Sequence, residues 1–123
     1  MNENIGIGID IVNVEDFRQI PFSTKSGFYK KIFNPNEIKY CLKYKNPYER
    51  FAGKFAIKEA VKKSIHDKIS LLDIETYYVR SKPQIKLKRM NKKYFFQVSV
   101  SHEKNLAVAV VISKFINNRI SQI

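Results

Sequence analysis

The stretch Ile5–Val12 alternates with a period of two. Ile5, Ile7, Ile9 and Ile11 fall on one side, and Gly6, Gly8 and Asp10 on the other. Branched side chains at every second position predict a β-strand. Glycine weakens a strand, and two at alternate positions predict a bulge or the close approach of another backbone or a ligand. A carboxylate, Asp10, stands beside that cleared ground.

The chain has 123 residues, enough for one domain with a hydrophobic core. No repeat, low-complexity tract or Gly/Ser linker divides it, so a single domain over residues 1–123 is expected. Cys41 is the only cysteine, which excludes an internal disulfide and fits a reducing cytoplasm. No apolar run reaches bilayer length, and no basic segment followed by an apolar core opens the chain. The expected location is therefore the cytoplasm, with no membrane partner. The net charge of +12 attracts phosphates, nucleic acid, anionic membrane or an acidic protein, and does not choose among them.

After the first strand, Asn13 is placed to cap a short helix carrying Glu15 and Asp16 in its first turn, with Pro21 marking its end. Residues 22–33 read as a basic connector or a short helix. Two further helix starts use one device. In "FNPNEI", Asn34 caps, Pro35 takes the first helical position and Glu37 reaches back, with Phe33 and Ile38 at the staple positions. In "NPYERF", Asn46, Pro47 and Glu49 repeat the pattern and start a helix running to about Ile65. Beyond it, "LDIETYYV" and "QIKLKRM" read as strands about a turn at "RSKP". "YFFQVSVSHEKNLAVAVVI" reads as a hairpin turning at "HEKN", with Phe96, Val98 and Val100 on one face. The last ten residues read as a polar tail. One strand, then helices, then short-linked strands predict an α+β domain.

Chemistry concentrates in "RFAGKFAIKEAVKK". Ala52, Ala56 and Ala60, with Gly53, form a shallow helical stripe on which another element can lie closely. Glu59 shares a helix side with Ala56 and with Lys63. A carboxylate near a packed surface with an ammonium one turn away suits a metal and phosphate site; the same spacing also suits a solvated surface pair. Asp10 likewise fits a turn or cap residue, and His102 an exposed loop histidine. The charge and the exposed aromatics, such as Tyr77 and Tyr78, also fit a non-enzymatic nucleic-acid-binding domain, although the basic residues are dispersed and no nucleic-acid motif appears.

Taken together and in order, four segments resemble the holo-[acyl-carrier-protein] synthases, the small bacterial type of the 4'-phosphopantetheinyl transferase superfamily. "GIGIDIV" at residues 6–12 matches the family's G-I-G-x-D-I, and "FNPNE" at 33–37 its F-x-x-x-E step. "FAGKFAIKEAVKK" at 51–63 matches its central helix motif, and "VSVSHEKNLAVAVVI" at 98–112 its late V-S-[IL]-[ST]-H strand. A D-I-E segment recurs at 73–75. The chain departs from the pattern at Lys54, where arginine is usual, and at Ser81, where a G-K-P loop has glycine. It departs again after Lys63, where the segment is short and lacks the family's glycines, and at Asp16, where a basic residue is common.

The resemblance implies a 4'-phosphopantetheinyl transferase fold, with an antiparallel sheet packed against a long central helix and shorter helices. It implies transfer of phosphopantetheine from coenzyme A to a serine of apo acyl carrier protein, releasing adenosine 3',5'-bisphosphate, with Mg²⁺ as cofactor, in support of fatty acid biosynthesis. By the same resemblance Asp10 and Glu59 hold the metal, and Glu59 is the candidate base for the serine proton. Lys63 stabilises the transferring phosphoryl or the departing bisphosphate. Lys54, Lys58 and His102 are expected on coenzyme A phosphates, and Lys82 and Pro83 in the loop beside the nucleotide. Arg18, Lys25, Lys30 and Lys31 are the expected docking residues for the acidic carrier protein. A homotrimer with active sites between subunits is implied as well.

Overall fold

A computed structural model describes residues 4–89 and 93–116. Strand β1 (Ile5–Asn13) leads into the short helix α1 (Val14–Arg18), then α2 (Phe22–Lys30), α3 (Pro35–Leu42) and α4 (Pro47–Ser64). A single 3-10 turn (Leu71–Asp73) precedes β2 (Ile74–Val79) and β3 (Lys82–Leu87), and β4 (Tyr94–Glu103) and β5 (Leu106–Phe115) close the fold. The strands form an antiparallel three-stranded sheet in the order β1-β5-β4 and an antiparallel pair β2-β3. This is the α+β arrangement expected, with α4 lying along β1 and β5.

The glycines of β1 explain how α4 lies there. A Cβ on Gly8 would sit 2.0 Å from the carbonyl oxygen of Ala60, and one on Gly6 would sit 1.8 Å from that of Ser64. Both contacts are with backbone that cannot swing aside, so only glycine admits the helix at this distance. Ser113 on β5 uses the cleared space to donate a hydrogen bond to the Ser64 carbonyl at 2.8 Å, which satisfies one of the open carbonyls at the end of α4. The facing side chains are small for the same reason. Ala52, Ala56 and Ala60 of α4 and Ala107, Ala109 and Val111 of β5 are all buried.

The isoleucines take the opposite outcome. Ile5, Ile7, Ile9 and Ile11 are 52–67% exposed, so the branched stripe that defines the strand faces away from the core. Val108 and Val110 are half-buried and Ile112 is exposed at the alternate positions of β5. The β1–β5 part of one face of the main sheet is thus apolar and uncovered among the described residues.

The core continues from α4 into an aromatic cluster. Phe51 has its ring centroid 4.5 Å from Tyr29 and 5.0 Å from Phe33, and Phe17 meets Phe55 edge-on at 5.5 Å. Of residues 22–33, Phe22–Lys30 therefore form a short helix with Tyr29 buried on its inner face. Lys25 breaks the α2 geometry with φ −128° and ψ 35°.

The two similar helix starts behave differently. At Asn34 the reciprocal cap forms: Glu37 N donates to Asn34 Oδ1 and Asn34 N donates to Glu37 Oε1, both at 3.0 Å. Asn46 makes no side-chain cap bond, and α4 starts on Pro47 alone. Both hairpins turn on two residues. Arg80 (φ 52°) and Ser81 (φ 67°) join β2 to β3, and Lys104 (φ 57°) opens the β4–β5 turn. The second turn is thus shorter than the "HEKN" segment, since His102 and Glu103 still pair with Ala107 and Leu106. Strand β5 runs to Phe115, into the stretch expected as tail; residues 117–123 lie outside the described residues.

Candidate active site

Asp10 lies on the glycine face of β1, where α4 approaches. Gly6 meets Ser64 and Gly8 meets Ala60, so two strand residues advance about one helical turn. Continuing that register brings Asp10 to the level of Ala56, one turn before Ala60 and beside the helix side that carries Glu59 and Lys63. Lys63 reaches across: its Nζ donates to Asp10 Oδ1 at 2.9 Å and to the Ile9 carbonyl at 3.0 Å. The expected alternative, a surface pair between Glu59 and Lys63, does not form; Lys63 bridges α4 to β1 instead. Glu59 is half-buried and makes no hydrogen bond or ion pair among the described residues.

Among the described residues this leaves two carboxylates, one without a protein partner and one with Oδ2 uncommitted, and a solvent-facing ammonium between elements. Such a donor set suits a hard divalent cation, which takes one or two carboxylates and fills its remaining positions with phosphate oxygens and water. Among the described residues no three of His, Cys, Asp and Glu converge, so a closed protein cage for a softer metal is not built here.

His102 sits near the other end of α4. Its Nε2 lies 3.1 Å from the Glu49 carbonyl, and its ring is so close to Gly53 that a Cβ there would stand 3.2 Å from Cε1. Gly53 therefore makes room for an imidazole. His102 is exposed, as its sequence position suggests, but it is held against a helix at the end of β4 and not carried on a loop.

Lys54 and Lys58 require correction. Both are buried, and their ammonium groups point inward. Lys58 Nζ donates to Glu37 Oε1 at 2.7 Å, to the Ile32 carbonyl at 2.8 Å and to the Leu71 carbonyl at 3.0 Å. All three protons of the ammonium are used, so none remains for a phosphate. Lys54 Nζ donates to Thr76 Oγ1 at 3.0 Å and to the Thr76 carbonyl at 3.1 Å, under the rings of Tyr40 and Tyr78. Burial pushes both ammonium groups below the ordinary lysine range. Glu37 completes the knot by accepting from Thr76 N at 2.8 Å and Thr76 Oγ1 at 2.6 Å. These lysines join α3, α4 and β2, and their ammonium groups face protein partners. The structural duty of Glu37 and Thr76 went unread in the sequence beyond the cap at Glu37, because nothing local marks a lysine as buried.

Lys82 and Pro83 open β3 opposite Val79 and Tyr78. They line an open cleft of about 450 Å³ against residues 95–100 of β4. Ser81 carries the left-handed backbone that glycine adopts without cost, at roughly 1 kcal/mol for a residue with a Cβ. Of the basic residues expected to dock a partner, Lys25, Lys30 and Lys31 are exposed along and just beyond α2. Arg18 is already engaged, with Nη1 3.3 Å from Glu15 Oε1 and 3.0 Å from Asn105 Oδ1, and Nη2 3.8 Å from Glu49 Oε1. Within one chain, then, the structure joins Asp10 with Lys63 and sets Glu59 on the same helix side. His102 and the Lys82–Pro83 cleft lie on other elements.

Comparison with known proteins identifies the family. The sequence model of the 4'-phosphopantetheinyl transferase superfamily matches residues 6–111. The chain is 40% identical over 111 residues to a holo-[acyl-carrier-protein] synthase of Thermodesulfovibrio yellowstonii, covering 87% of this chain and 96% of that protein. Its fold is similar to that of the Bacillus anthracis holo-(acyl-carrier-protein) synthase solved in complex with CoA (3',5'-ADP), at 31% identity and a TM-score of 0.75, covering 90% of this chain and 96% of the other. It is equally similar to the Helicobacter pylori enzyme in complex with coenzyme A, at 32% identity and a TM-score of 0.75, covering 88% and 99%. The chain belongs to the 4'-phosphopantetheinyl transferase superfamily, among the holo-[acyl-carrier-protein] synthases.

Proposed function

We propose that this chain transfers the 4'-phosphopantetheine group of coenzyme A to a serine of apo acyl carrier protein, acting as a single domain over residues 1–123 in the cytoplasm and supporting fatty acid biosynthesis. The observation that carries the reading is the Asp10–Lys63 contact, with Glu59 on the same helix side, in a chain of this family. The serine oxygen bonds to the phosphorus bearing pantetheine. The bridging P–O bond of the pyrophosphate breaks, and adenosine 3',5'-bisphosphate leaves with the electron pair.

Asp10 and Glu59 would hold Mg²⁺. When bound, the cation supplies neutralisation of phosphate charge and orientation of the pyrophosphate. Glu59, with no partner among the described residues, is the group available to take the serine proton, directly or through a water. Lys63 is held at the site by Asp10, yet its side chain is 54% exposed, so it can turn from the carboxylate towards the charge developing on the bisphosphate. His102 and Lys82 supply further donors on exposed surface for coenzyme A phosphates, with Pro83 bounding the nucleotide. Lys25, Lys30 and Lys31 would steer and orient the acidic carrier.

The assembly we propose is a homotrimer with active sites between subunits. One observation supports it: the face of Ile5, Ile7, Ile9 and Ile11, extended by Ile112 and uncovered among the described residues, is of the kind that oligomers bury. A nucleic-acid-binding module is not favoured, since it gives Asp10 and Glu59 no task. The test is intact-protein mass spectrometry of an apo acyl carrier protein incubated with this protein and coenzyme A, with and without Mg²⁺. The expected result is a Mg²⁺-dependent gain of one phosphopantetheine, absent from a carrier lacking its serine. No gain with several carriers would overturn the proposal.

A further inference from the structure

Gly53 is buried in the interior of the 18-residue helix α4. Glycine there lowers the folding equilibrium roughly fourfold relative to alanine. The backbone does not ask for it, since no glycine among the described residues has a positive φ. The space around it does. The nearest neighbours of a Cβ at this position would be His102 Cε1 at 3.2 Å and Nε2 at 3.3 Å, with Val100 Cγ1 at an ordinary 3.8 Å. The first two lie inside the usual contact distance of about 3.5–4.0 Å, so a single imidazole ring keeps a side chain out of the helix.

That ring has a second anchor on the same helix. Its Nε2 lies 3.1 Å from the Glu49 carbonyl, one turn before Gly53. A carbonyl only accepts, so Nε2 carries the proton. Nδ1 is then the ring nitrogen without a protein partner among the described residues, on an exposed side chain. In the charged ring Nδ1–H is a donor, and turning the ring over to offer the other nitrogen would break the bond to Glu49. The helix thus carries a glycine at a cost to its own stability and, by it, holds a surface histidine in one orientation.

We propose that Gly53 is a positioning residue for coenzyme A: its missing side chain lets the Glu49 carbonyl fix the His102 imidazole, with Nδ1 left to meet a phosphate oxygen. This role rests on the reading of the chain as a coenzyme A-dependent transferase. Gly53 itself touches no substrate and acts through His102.

The test is a double-mutant cycle between Gly53→Ala and His102→Ala, read by urea unfolding and by calorimetric titration with coenzyme A. In the His102→Ala background, Gly53→Ala should raise the folding equilibrium constant roughly fourfold, the ordinary gain inside a helix. With His102 present the same change should raise it by less than about twofold or lower it, because the ring and the new methyl compete for one space. Gly53→Ala alone should weaken coenzyme A about fivefold, with KM raised further than kcat is lowered, and His102→Ala should weaken it about tenfold. Once His102 is gone, Gly53→Ala should change the affinity by less than about twofold. Equal stability gains in both backgrounds, an unchanged affinity in Gly53→Ala, or the same loss of affinity with and without His102 would each overturn the proposal. Failure of the parent reading looks different: the unsubstituted protein would bind no coenzyme A, and this role would fall with it.

Discussion

Lys58 and Lys63 stand little more than one turn apart on α4, and each reaches a carboxylate supplied by another element. Lys58 meets Glu37 at 2.7 Å with both side chains almost wholly buried, at 0% and 1% exposure. Lys63 meets Asp10 at 2.9 Å with 54% and 16% exposure. The inner pair is saturated: Glu37 accepts four hydrogen bonds, and Lys58 spends all three protons on oxygens of the chain. The rim pair is unsaturated, with Asp10 Oδ2 and part of the ammonium open to solvent or ligand. The same two chemical groups thus form a rivet where every donor is matched and, in the function proposed, a reactive site where some are left open.

The largest expected contrast is between Lys58→Met and Lys63→Met. Removing the buried ammonium leaves the Glu37 carboxylate uncompensated in the interior, which costs about 3–5 kcal/mol of unfolding free energy. Removing the exposed one should cost no more than about 1 kcal/mol. Turnover should invert the order, with Lys63→Met losing roughly 100-fold or more in the transfer assay. Urea melts of both variants, read beside carrier modification at a temperature where each is folded, separate the two roles. Equal destabilisation by the two would break the distinction.

A smaller contrast tests the two helix starts. Asn34→Ala removes a formed capping box and should cost about 1 kcal/mol, whereas Asn46→Ala, with no cap bond to lose, should cost no more than a few tenths. Differential scanning calorimetry resolves the pair.

These contrasts also mark what the sequence could and could not reveal. The cap at Asn34 was legible because a capping box is local, contained in four residues. Asn46 carries the same letters without forming the cap, because its backbone (φ −112°, ψ 78°) departs from the extended conformation that Asn34 adopts (φ −78°, ψ 168°). The glycine pair of β1 predicted a close approach, and α4 is what approaches. The isoleucine stripe predicted a strand, but which face is buried depends on where the helix lies, and only the glycine face has room for it. Asp10, Glu59 and Lys63 were visible as members of a family motif. The burial of Lys54 and Lys58 was not, since a lysine between apolar residues reads as a surface position until its partner, Glu37, is brought in from another helix.

The smallest effect concerns the neighbourhood of the inner pair. Cys41 is buried, and burial pushes its thiol from 9.0 up to about 12. Because the folded value is raised, the associated stability is fully present below pH 9 and is lost as pH climbs from 9 through about 12. Iodoacetamide at pH 8.5 should therefore leave the native thiol unmodified and label it quickly in urea. Prompt native labelling would show that the core around α3 opens.

The most direct test of the central claim is Asp10→Ala, measured in the carrier-protein mass assay with Mg²⁺ present and with the assembly sized in parallel. Loss of phosphopantetheine transfer with fold and oligomer unchanged is the predicted result, because the rim carboxylate would be removed without touching the rivet. Undiminished transfer would contradict it and remove Asp10 from the chemistry.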